Sequence, residues 1–106
     1  MPREVFVTED AARDLHGIFD YIADHDDPVK ARNVLDRLEA AIETLAEFPE
    51  RGAYPKELVG LGIREYREVH FKPYRILYRV LGAEVYVYLV ADGRREMQTL
   101  LASRLL

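Results

Sequence analysis

Residues 74–96, "YRILYRVLGAEVYVYLVADGRRE", decide the fold. The stretch is rich in β-branched and aromatic residues, alternates with period two and breaks at Gly82-Ala83. That pattern predicts two antiparallel strands joined by a two-residue turn with glycine first. One face then pairs Val80 with Val85, Tyr78 with Val87 and Ile76 with Leu89, and is apolar enough to cover a helical layer. The other pairs Arg79 with Tyr86, Leu77 with Tyr88 and Arg75 with Val90. Arginine and tyrosine on a sheet face either bind something or fill the wet side of a small antiparallel sheet.

Upstream, "IREYREV" (63–69) predicts a third strand of this sheet, and a turn at Lys72-Pro73 adds Tyr66 and His70 to the arginine–tyrosine face. "REVFV" (3–7) predicts an opening strand. Thr8 follows as a helix N-cap, with Glu9 and Asp10 where the helix dipole favours acids. Leu15, Ile18, Phe19 and Ile22 make one helical stripe. Gly17 interrupts it at a cost of about 1 kcal/mol against Ala. Asp27 caps a second helix that Pro28 opens. Its stripe runs from Ala31 through Leu38 and Leu45 to Phe48, where Pro49 and Gly52 stop it. Two helices so closely joined form an antiparallel hairpin. A last helix, 94 to about 104, carries Met97, Leu100, Leu101 and Leu105. The expected fold is α+β in the order β-α-α-β-β-β-α, a helix hairpin packed on a small, mainly antiparallel sheet. It forms one domain, 1–106.

The totals agree with a single globular unit: 106 residues, 49% hydrophobic. There are no cysteines, which suits a reducing cytoplasm and removes thiolate metal sites. The opening residues are too polar for a signal peptide, and the longest apolar run, "VYVYLVA", is far short of a membrane span. Net charge is −4, unevenly spread, since residues 1–50 hold 5 Lys/Arg against 13 Asp/Glu and residues 51–106 hold 10 against 6. Only the second half offers a basic surface.

The three histidines, 16, 25 and 70, lack ligand spacing, and no nucleotide-binding glycine loop is present. The only serine, Ser103, is not flanked as a nucleophile. No metal or cofactor is expected. On the open face, guanidinium groups bind phosphate or carboxylate, and aromatic rings stack on bases or on arginine. His70, Arg75, Arg79 and Tyr86 together have the equipment of a metal-independent ribonuclease. Arg94 and Arg95 fall in the first turn of the last helix, opposing its dipole by roughly 0.3–1 kcal/mol each. Such placement suits either ion pairs to the acidic helices or contacts with a partner.

In their order and spacing, "AARDLHGIFDYIADHDDPVKARNVLDRLEAAIETLAEFPERG", "GIREYREV", "YRILYRV" and "VADGRREM" resemble the ParE branch of the RelE/ParE toxin superfamily across nearly the whole chain. The resemblance implies the toxin of a type II, plasmid-stabilisation toxin–antitoxin pair, neutralised by a ParD-like antitoxin whose flexible C-terminal segment wraps it. ParE-like members poison DNA gyrase by binding. RelE-like members cleave mRNA on the ribosome with basic residues and often a C-terminal Tyr or His. Here "VYVYLVA" has no basic residue and "REMQTLLASRLL" has neither Tyr nor His, which favours gyrase. The acidic total agrees, and sequence-specific nucleic-acid binding is not expected. Asp92 stands where many ParE-like chains have His before Gly-Arg-Arg. Contacts to antitoxin or target are expected from Arg75, Arg79, Tyr86, Tyr88, Arg94 and Arg95. Leu15, Ile18, Phe19 and Leu38 are expected to be core first, with edges that offer a groove to an antitoxin helix.

Overall fold

The structure is a computed structural model that describes residues 2–106. Strand β1 (Glu4–Val7) leads into α1 (Glu9–His25) and α2 (Pro28–Glu43), as the sequence expects. Thr8 caps α1 by accepting from the Ala11 N–H at 3.2 Å, and Asp27 caps α2 by accepting from Val29 N–H at 3.1 Å. The second helix ends earlier than its stripe suggests. Past Glu43 the chain tightens into a 3₁₀ turn, Thr44–Ala46, which points Leu45 into the core and swings Phe48 out to 64% exposure.

A one-turn helix that the sequence reading lacks, α3 (Lys56–Val59), follows. Its end is closed by Gly62 N–H and Ile63 N–H bonding back to the Val59 and Leu58 carbonyls. This cap consumes the residues expected to begin the next strand, so β2 starts at Arg67 and runs to Phe71. Strands β3 (Tyr74–Leu81) and β4 (Glu84–Asp92) complete a sheet of order β1-β4-β3-β2, antiparallel except for the β1–β4 pair. Gly82 makes the turn between them with φ +60°.

The expected pairing holds from Leu81–Glu84 to Tyr78–Val87 and then fails. A bulge leaves Tyr88 without a partner, so Ile76 faces Val90, Leu77 faces Leu89 and Arg75 faces Ala91. The bulge therefore moves Leu89 from the helix side to the outer face and Val90 the other way. Two cores result. Helices α1 and α2 cover Val69, Ile76, Tyr78, Val85, Val87 and Val90 on one face, with Leu38 and Leu45 fully buried among them. On the other face Leu77, Leu89 and Ala91 lie under Leu58 of α3 and under Met97 and Leu101 of the last helix, α4 (Met97–Leu105).

Tyr78 closes the end of the first core. Its hydroxyl donates to the Pro49 carbonyl at 2.7 Å and accepts from Gly52 N–H at 3.0 Å. A Cβ at position 52 would stand 2.6 Å from both the Glu68 carbonyl oxygen and that hydroxyl, so only glycine fits there. Tyr78→Phe strands both backbone groups, and a urea melt is expected to show a loss of about 1–3 kcal/mol.

Candidate functional site

The outer sheet face is divided. Arg75 lies in its sealed half, where the guanidinium bridges Glu57 of α3 and Glu68 of β2. Nη1 and Nη2 each reach a Glu57 oxygen at 2.8 Å, and Nε reaches Glu68 Oε1 at 2.6 Å. All three side chains are nearly buried, at 8–12% exposure. The Arg75 bond holds the Glu57 carboxyl at about 2, against a usual 4.5. In turn Glu57, then Glu68, raise the Arg75 pKa further. His70 stands beside this cluster, its Nε2 3.0 Å from Glu68 Oε1. The expectation that Arg75 faces a partner is corrected here, because its donors are already used inside the fold.

The residues of the ribonuclease reading are not brought together. His70 pairs with Arg75 across β2 and β3, Arg79 pairs with Tyr86 across β3 and β4, and buried Leu77 lies between the two pairs. The open half of the face keeps the second pair. Tyr86 stacks on Phe6 of β1 at 5.2 Å, Tyr88 meets Tyr66 edge-on at 5.6 Å, and the Arg79 guanidinium lies 5.9 Å above the Tyr66 ring. Tyr86 donates to Glu84 Oε1 at 2.9 Å, a bond that raises its pKa.

Arg94 and Arg95 are not in a helix. Glu96 caps α4, accepting from Gln98 and Thr99 N–H, and the two arginines belong to the turn before it. Asp92 organises that turn by accepting from Arg94 N–H at 2.9 Å and from the Arg94 guanidinium, which lowers its own pKa. No charge opposes a helix dipole, so the cost inferred from the sequence does not arise. Both arginines are exposed at the mouth of a groove of about 620 Å³ between α1 and the end of β4. Its floor is Ile18, Ile22, Val90 and Ala91, with Tyr21 and Tyr74 at the sides and Arg13 on the rim. Gly17 opens it further, since a Cβ there would meet nothing within 4 Å.

Of the four apolar residues expected to edge a groove, Ile18 lines this one. Leu38 is corrected to pure core at 0% exposure. Leu15 is 8% exposed and touches a shallower hollow beside β1, with Val5, Val7 and Ile42. Phe19 lies elsewhere, beneath the Arg32 guanidinium at 5.3 Å. Sequence reasoning missed Tyr54, Arg64 and Arg67, which with Arg79 line a concavity of about 360 Å³. It also missed Glu68, although alternation from Tyr66 and His70 puts it on the Arg75 face.

The model of the ParE toxin of the type II toxin–antitoxin system, parDE, matches residues 5–97. The chain belongs to the ParE toxin family. It is similar to Toxin ParE3 of Caulobacter vibrioides, 27% identical over 100 residues, covering 94% of this chain and 96% of that protein. Among solved structures it resembles the chromosomal ParDE system from P. aeruginosa, with TM-score 0.72 and 22% identity over 85% of this chain and 95% of that one. The RelBE2 toxin–antitoxin complex from Mycobacterium tuberculosis gives 0.59 and 24%, covering 87% and 99%. A free mutant of the E. coli toxin RelE gives 0.65 and 16% over the full length of both chains. These likenesses establish the α+β fold shared by ParE and RelE toxins. Among the described residues, no helix is long and apolar enough to cross a membrane.

Proposed function

We propose that this ParE-family chain acts by binding, arresting DNA gyrase, and is held inactive by an acidic, ParD-like antitoxin. The observation that carries binding over catalysis is the locked state of Arg75. Two carboxylates neutralise the guanidinium that a ribonuclease would turn to the scissile phosphate. The groove beside Arg94 and Arg95 suits the antitoxin, because its apolar floor and the exposed Arg95, which forms no ion pair among the described residues, match an amphipathic acidic segment. Arg79, Tyr86 and Tyr88 remain for the target.

Induction without the antitoxin is expected to stop growth while translation continues, and the purified chain to inhibit supercoiling by purified gyrase. Cleavage of mRNA on ribosomes with gyrase unaffected would instead establish the RelE-like activity. For the groove, Arg94→Glu with Arg95→Glu is expected to weaken antitoxin binding at least tenfold in calorimetry, about 1.4 kcal/mol. Gly17→Leu is expected to do the same by filling the groove, with melting unchanged or improved, because glycine in mid-helix costs about 1 kcal/mol. Unaltered affinity in both variants would move the antitoxin off this groove.

A further inference from the structure

Arg79, Tyr86 and Tyr88, assigned above to the target, belong to a larger surface on the open half of the sheet face. Its aromatic rings form a row that draws on β1, β4 and the residue before β2. Phe6 and Tyr86 are stacked at 5.2 Å, Tyr86 and Tyr88 lie 6.4 Å apart, and Tyr66 stands 5.6 Å from Tyr88. Each ring is partly exposed. Tyr88, unpaired at the bulge, stays on this outer face beside Tyr86.

Arginines flank one end of the row. Arg79 lies over Tyr66, and in the adjoining concavity Arg64 and Arg67 lie 5.6 and 4.6 Å from the Tyr54 ring. Arg67 is fixed by bonds to the Gly52 carbonyl at 2.9 Å and the Tyr54 hydroxyl at 3.1 Å. Every ion pair among the described residues involves other cations, so Arg64, Arg67 and Arg79 have no carboxylate at ion-pairing distance. Glu50 and Glu65 on the concavity's rim form no ion pair with them. Neighbouring cations without counter-ions repel one another, and an anion relieves that repulsion.

We infer that this half-face is a docking platform for a single strand of nucleic acid. The arginines take two or three successive phosphates, and bases stack on the tyrosine row. The ring spacings of 5.2, 6.4 and 5.6 Å are comparable to the step between nucleotides in an unwound strand, and stacking on aromatic rings works for every base. A duplex fits poorly, since its bases are already stacked on each other. An acidic peptide would satisfy the arginines but leave the flat ring faces unused. Binding is independent of sequence, and His70 and Arg75 stand apart from the platform, across Leu77.

The test is fluorescence anisotropy of labelled ten-nucleotide dT and rU strands with the purified chain at 50 mM salt. A labelled ten-residue polyglutamate and a ten-base-pair duplex are the comparison probes. Either single strand is expected to bind, with log K falling against log salt at a slope of about −2, as three phosphate contacts give. Preference between dT and rU only tells which strand chemistry is used. Tyr88→Ala and Arg79→Gln are each expected to weaken binding about tenfold, whereas Arg37→Gln, an equal loss of charge on α2, leaves it unchanged. Circular dichroism confirms that each variant is folded, and Tyr86→Ser replaces Tyr88→Ala if that one is not. Absence of strand binding, equal binding of polyglutamate or duplex, or insensitivity to both platform variants would overturn the proposal. None of these outcomes depends on gyrase being the target.

Discussion

Arg75→Ala is expected to remove about 3–5 kcal/mol of stability at pH 7, more than any surface change on this chain. The guanidinium bridges Glu57 and Glu68, and it ties α3 and β2 to β3 in the sealed half of the sheet. Its removal leaves two carboxylates facing each other with little water. Like charges so placed push a carboxyl pKa up, so the variant's loss should shrink as pH falls through the carboxylate range. The parent behaves oppositely. Glu57 titrates near 2 when folded and near 4.5 when not, so its contribution is complete above about 4.5 and disappears as pH falls through 2. Urea melts at pH 7, 5 and 3 therefore distinguish the two: the parent weakens toward pH 3 while the gap to Arg75→Ala narrows. A gap that stays constant from pH 7 to 3 would mean that the ion cluster contributes packing only. Replacing all three residues with apolar side chains of similar volume is expected to restore most of the loss, since a buried ion pair is costly to break and dispensable as a set.

Asp14→Ala should cost about 3 kcal/mol and loosen α4. Strand β1 ends at Val7, so the outer edge of β4 beyond that point has no fourth strand to bond. Asp14 of α1 replaces it, accepting from Val90 N–H at 3.0 Å. The same carboxylate holds Arg104 of α4 through both oxygens at 2.9 Å, and Arg104 donates to the carbonyl of the bulged Tyr88 at 3.1 Å. One acidic residue thus satisfies a strand edge and anchors the last helix. Hydrogen exchange should show the Val90 amide losing protection first, together with amides of α4. Dye binding should rise as Leu77, Leu89 and Ala91 are uncovered. Asp14→Asn keeps an acceptor for Val90 and should fall between the parent and Asp14→Ala. A double-mutant cycle with Arg104→Ala measures the pair directly, and additive losses would show the anchor to be hydrophobic alone.

Both predictions concern features that periodicity does not show. Alternation in "YRILYRVLGAEVYVYLV" places residues on faces correctly up to Val87, but one extra residue at Tyr88 inverts everything after it. A bulge has no composition signal here, because Tyr, Leu and Val suit either face. The start of α4 was misplaced for a related reason. Asp92 is a stronger cap by type than Glu96, yet its carboxylate is taken by the Arg94 turn, and the weaker capper starts the helix. Of the four residues that the sequence offers as a groove edge, Ile18 alone lines the groove between α1 and β4; Leu38 belongs to the same stripe as the true core, and periodicity cannot rank depth within a stripe.

The order of elements apart from α3, the helix hairpin, its caps at Thr8 and Asp27 and the Gly82 turn were all written in the sequence. Each depends on residues within a few positions of one another, where spacing and backbone preference suffice. Which arginines stay free was settled only by the tertiary structure. Arg75 and Arg79 are four residues apart on the same face of β3 and look equivalent in sequence. The carboxylates that claim Arg75 come from α3 and from β2, 18 and 7 residues away, while Arg79 forms no ion pair among the described residues. Charge neutralisation requires contact within a few ångströms, and that proximity arises only when distant segments pack.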